Sequence, residues 1–133
     1  MDRIEEALKA ACWIIDILPK RVPRLSPGQY RAVEQYYLKE PSIREKQVNL
    51  LLKLNCYYDF ELQQENRQIH NPAPEMLAGL VGREYLNILV GKALIVVDHT
   101  DTYMTVFNAD DELMALIRQL ADSEGLFVWE GVV

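Results

Sequence analysis

The sequence predicts an α+β fold in which about four amino-terminal helices pack on a small mixed or antiparallel carboxyl-terminal sheet. Three observations carry that expectation. The carboxyl third holds short runs rich in β-branched and aromatic residues, "ALIVVD", "TYMTVFN" and "LFVWEG", separated by polar or glycine punctuation. Between the second and third lies "ADDELMALIRQLADSEG", where Leu113, Leu116, Ile117 and Leu120 recur on one helical face. Upstream, apolar residues recur mostly at helical spacing between proline breaks. One domain over 1–133 is expected, helical over about 1–92 and sheet over about 93–133. At 133 residues, half of them apolar, the chain can bury roughly two-thirds of its unfolded surface and needs no disulfide or metal staple.

In chain order, "RIEEALKAACWIIDIL" places Ile4, Leu8, Ala11, Ile15 and Leu18 on one face of a first helix, ended by Pro19 and Pro23. Trp13, Ile14 and Ile17 form a second apolar sector, which predicts burial against two neighbours, one of them a candidate second chain. "SPGQYRAVEQYYLKE" opens a helix with Ser26 as cap, Pro27 at the first position and Gln29 reaching back. "SIREKQVNLLLKLN" repeats the device with Ser42 and Glu45, and turns Ile43, Val48, Leu51 and Leu54 inward. The two make a helical hairpin over 26–57. "CYYDFELQQENRQ" alternates like a strand but is read as helix, because no breaker precedes Asn71-Pro72. "IHNPAP" is a loop. "PEMLAGLVGREYLNIL" starts a helix at Pro74, and its later part, "YLNILV", is open to a strand reading with a reversal at Gly91-Lys92. The last helix, 110–124, has acids in its first turn and Gly125 as its stop.

The hairpin "LSPGQYRAVEQYYLKEPSIREKQVNLLLKLN" resembles the first helices of a sigma-factor-type DNA-binding domain over some thirty residues. That resemblance implies a nucleic-acid-associated regulator. The chain departs from the pattern immediately, since "CYYDFELQQE" follows where a basic recognition helix belongs.

Charge points away from nucleic acid. Residues 1–55 carry ten Lys and Arg against seven acids, while 56–133 carry four against thirteen. The acidic half would repel a phosphate backbone. No membrane span is expected, uncharged greasy runs such as "ALIVV" falling far short of the ~20 residues a span needs. With "MDRIEEALKAACWIIDILPK" starting acidic and interrupted by Asp16, a cytoplasmic protein is expected. Cys12 and Cys56 lack redox spacing and are expected as reduced core cysteines.

The one dense constellation is "DHTD", Asp98 to Asp101. Two carboxylates and an imidazole are metal-ligand types, and His70 is the only other histidine, so a metal-dependent enzyme built on Asp98, His99, Asp101 and His70 is conceivable. Between two strands the same residues are ordinary turn chemistry, and a turn is the expectation. Accordingly no catalytic residue, metal ligand or cofactor is expected. The function expected is a non-catalytic protein-interaction or regulatory domain, engaging a protein partner or forming a homodimer. Its candidate surface is Trp13, Ile14, Ile17, Tyr36 and Tyr37, tyrosine being suited to interfaces by its apolar ring and polar tip.

Overall fold

The structure is a computed structural model that describes residues 2–131. Its centre is one antiparallel sheet of seven strands: β1 (Cys12–Asp16), β2 (Glu61–Gln64), β3 (Arg67–His70), β4 (Leu86–Val90), β5 (Ala93–Val97), β6 (Met104–Phe107) and β7 (Phe127–Glu130). They lie side by side in the order β3-β2-β4-β5-β6-β1-β7. Five helices accompany them among the described residues: α1 (Arg3–Leu8), α2 (Tyr30–Lys39), α3 (Pro41–Asn55), α4 (Pro74–Leu80) and α5 (Asp111–Ser123). The fold is therefore α+β with an antiparallel sheet, but four of its strands arise before residue 93. The expected partition into a helical 1–92 and a sheet-forming 93–133 does not hold.

The largest correction concerns the first helix. It ends at Leu8, and "CWIID" is strand β1, paired with β6 on one side and β7 on the other. Strand alternation regroups the two apolar sectors assigned to a helix, and Ile4 and Leu8 stay behind in α1. Trp13, Ile15 and Ile17 join the main core, while Cys12 and Ile14 face the opposite way, Ile14 opposite Thr105 and Trp129. A strand covered on both faces is apolar at nearly every position, and over five residues it cannot be told from helix by period alone.

A second correction lies at "ELQQENRQIH", which is the β2–β3 hairpin rather than a continuing helix. Its reversal uses Glu65 in the left-handed region, φ 48°, in place of the glycine that usually announces such a turn. The start signals of α2 and α3 also differ from expectation. Ser26 caps no helix; its hydroxyl accepts from the Gly28 N–H at 3.3 Å, and α2 begins at Tyr30. At α3, Pro41 takes the first helical position and Glu40 precedes it, so Ser42 lies inside the first turn. Cys12 is buried, but Cys56 is exposed; both are free thiols.

Other elements form where the sequence places them. α4 starts at Pro74, β4 follows as the strand reading of "YLNILV", and Gly91 at φ 61° turns it into β5. α5 is capped by Asp110, whose carboxylate accepts from the Leu113 N–H at 2.8 Å.

Inner-face residues such as Ile15, Leu62, Ile88, Ile95, Met104 and Val106 pack with Leu50, Leu51 and Leu54 of α3, Leu77 of α4, and Leu113 and Ile117 of α5. On the outer face, α1 lays Ala7 and Ile4 over Leu89 and Leu94. The rest of that face, around Ile14, is left to the segment 17–29 and to α2. None of α2's residues is fully buried.

The strand assignment of β1 makes a test that a helix would fail. Ile15→Ala should cost about 2–5 kcal/mol in urea unfolding, because Ile15 is sealed in the core. Leu8→Ala, at a residue 41% exposed, should cost no more than about 0.5 kcal/mol. In a helix the two residues would share a face, and comparable losses at both would contradict the strand.

Candidate functional site

The outer face carries a cleft of about 390 Å³, lined by Ile14 and Asp16 of β1, Arg21 and Val22 of segment 17–29, Tyr30 of α2, Tyr103 and Trp129. Five parts of the chain converge there. Trp129 stands beside Ile14 across the β1–β7 pairing, and its indole N–H donates to the Leu18 carbonyl at 3.0 Å. That bond ties the segment to the sheet and keeps the cleft walled. Its Pro19 and Pro23 restrict how the segment can bend.

Asp16 is the buried charged group of the cleft. It is only 4% exposed, and its carboxylate accepts from the Ile17 N–H at 2.7 Å. Burial pushes its carboxyl above the usual carboxylate range, opposed by the backbone N–H groups of Ile17 and Leu18. Two phenols flank it. Tyr30 donates to Glu34 at 3.0 Å, and burial together with that carboxylate drives the phenol well above its ordinary range. Tyr103 is raised by burial and by Asp101, to which its hydroxyl donates. Both phenols therefore stay protonated at neutral pH, their protons held by the carboxylates of Glu34 and Asp101.

The "DHTD" stretch lies beside this cluster as the connection from β5 to β6. It is a turn built by its own side chains: Asp98 accepts from the Thr100 N–H at 2.9 Å and the Thr100 hydroxyl at 2.8 Å. Although burial opposes it, those two bonds, with His99 and Arg44, hold the Asp98 carboxyl below its usual range. His99 is exposed, with Nδ1 3.8 Å from Asp98. His70 is nowhere near: it faces Glu61, which faces Leu89 toward the Gly91 end of the sheet, while Asp98 follows β5 at the other end. Among the described residues, no three His, Cys, Asp or Glu side chains are grouped to hold a metal ion.

What holds the turn comes from α3. Arg44 donates to the His99 carbonyl at 2.8 Å and to Gln47 at 3.0 Å, and the buried Gln47 donates to the Thr102 carbonyl at 3.4 Å. Gly82 makes room for this arginine. A Cβ there would stand 2.9 Å from the Arg44 side chain, and the residue's φ of 87° independently excludes most side chains. Lys53 is likewise engaged, 2.9 Å from Glu124. The hairpin 26–57 thus turns two of its cations to intramolecular partners.

The residues expected at an interaction surface are separated. Trp13 lies on the inner face, its ring 4.5 Å beneath the Arg118 guanidinium. Ile14 lies in the cleft floor, and Ile17 is half-buried against the main core. Tyr36 is 60% exposed; Tyr37, half-buried, meets it edge-to-face with ring centroids 5.4 Å apart. Asp16, Tyr30, Tyr103 and Trp129 were missed as a set, because only the sheet topology gathers them. One signal was visible: a lone acid inside the greasy run "CWIIDIL". No protein-family model, curated protein or solved structure matches the chain.

The turn's supports should outweigh its most conspicuous residue. His99→Ala should shift stability by no more than about 0.5 kcal/mol, as at a surface position. Arg44→Ala should cost about 1.5–3 kcal/mol, since charged hydrogen bonds and buried packing go together. Denaturant melts of both variants decide, and a larger loss at His99 would give that residue a role beyond the turn. The two carboxylates have opposite pH signatures. Asp98, with a lowered folded value, stabilises above its unfolded value, and that contribution disappears as pH falls through the folded one. Asp16, with a raised folded value, stabilises at low pH and loses that contribution as pH rises through it. In melts against pH, Asp16→Asn should therefore gain stability relative to the parent as the medium turns from acidic to neutral.

Proposed function

We propose that this protein is a non-catalytic interaction domain that seats a segment of a protein partner in the cleft over β1. One observation carries the reading. The cleft is assembled from β1, segment 17–29, α2, the turn before β6, and β7, so the sheet provides a rigid floor and an exposed rim provides access. Its walls are those of a recognition surface, with aromatic rings around one buried polar group. The phenols already donate to carboxylates and are held protonated, which suits fixed walls rather than a base or nucleophile. The segment that lines the cleft through Arg21 and Val22 also carries Leu25, 93% exposed, an apolar side chain available to a partner. Two free thiols, one of them exposed, fit a reducing compartment such as the cytoplasm. Among the described residues no helix is long and apolar enough to cross a membrane.

Site-specific photocross-linking tests the reading. A benzophenone side chain replacing the exposed Arg21 at the cleft mouth should give one discrete adduct in the native cells. The same probe at Tyr57, 71% exposed beyond the end of α3, should not give it. Identical patterns from both positions, or no adduct from either, would remove the cleft as a partner seat. An adduct of twice the chain mass from the purified protein alone would identify the partner as a second copy.

A further inference from the structure

Resting on that reading, we infer that the group received in the cleft is an alkylammonium, the end of a lysine side chain on the partner. Four features converge on this chemistry. Trp129, Tyr30 and Tyr103 present three aromatic rings to one space, and the negative faces of such rings attract cations, most strongly for tryptophan. Asp16 lies among them, almost wholly removed from water, so its charge acts with little screening. Behind the phenols stand Glu34, bonded to Tyr30, and Asp101, bonded to Tyr103; both polarise the rings toward a positive guest. Finally, at about 390 Å³ the cleft has room for a four-carbon stem and its ammonium.

The opposing charge is Arg21, which also lines the cleft. It is exposed on segment 17–29, where water and salt weaken its field, whereas Asp16 sits at the floor. The buried carboxylate therefore sets the sign of the site. The recognition also accounts for an unfavourable feature of the fold. A carboxyl placed where burial penalises its charge is costly to an empty protein, and an ammonium partner relieves that penalty by pairing with it. A neutral apolar side chain would contact the same rings but leave the Asp16 charge uncompensated.

The test compares Nα-acetyl-lysine methylamide with its norleucine counterpart, which has a similar stem and no charge. Each is titrated into the full chain while the Trp129 indole N–H resonance is followed, Trp13→Phe serving to assign it. The lysine probe should shift that resonance saturably, and the norleucine probe should bind about tenfold more weakly or less. Asp16→Asn should weaken the lysine probe by about the same factor. Tyr30→Leu provides a second variant outside the sheet, in a helix with no fully buried residue, and should also lose affinity. Equal binding of the two probes, or a lysine response unchanged in both variants, would overturn the ammonium assignment while leaving the cross-linking result to judge the cleft as a partner seat. No response to lysine at millimolar concentration would overturn it as well.

Discussion

Everything at the cleft end of the molecule depends on β1 being hydrogen-bonded between β6 and β7. A five-residue strand from the start of the chain enters a sheet whose other members come from residues 61–130, and it separates two strands that α5 would otherwise connect as near neighbours. Its inner side, with Ile15, completes the core over which α3 and α5 lie. Its outer side, with Ile14 and Asp16, is the floor of the cleft. Burial of one isoleucine contributes about 1.5–3 kcal/mol, so this strand is held by packing on both faces as well as by two ladders.

The same strand sets apolar burial against a buried carboxylate. Hydrophobic burial favours apolar residues at every position of an inner strand, yet Asp16 keeps a carboxylate at its end. Backbone N–H groups from Ile17 and Leu18 offset part of the desolvation but leave the ionised form disfavoured. Around it the structure is rigidified rather than relaxed. Trp129 ties down the segment after β1, Tyr30 and Tyr103 are fixed by Glu34 and Asp101, and Arg44 clamps the adjoining turn. A cleft preorganised in this way would receive the proposed guest with less ordering cost than one that must assemble.

How much of this was legible in the sequence follows from the local physics of each element. α5 was readable from its helical period between the Asp110 cap and Gly125, and β5, β6 and β7 from β-branched and aromatic runs set off by polar or glycine punctuation. β4 was readable as an alternative through the Gly91 turn. β1 was not, since "CWIID" is apolar on both faces and fits either period. The β2–β3 hairpin was hidden by a Glu65-Asn66 reversal without glycine and by Gln64, a polar residue that the fold buries. The composition of "DHTD" correctly suggested a turn, but not that Arg44, 55 residues away, would hold it. The cleft was the least legible feature. The Trp129–Leu18 bond alone joins residues 111 apart, and no local pattern encodes a set brought together by strand order.

Amide hydrogen exchange in β1 measures the central claim most directly. If the strand is seated between β6 and β7, the Ile14 and Ile15 amides should exchange as slowly as those of β5, opening only with the whole protein. The amides of α2, which has no fully buried residue, should exchange faster. Exchange of the β1 amides at the rate of α2 would mean that the strand opens independently, and both the core closure and the cleft floor would lose their foundation.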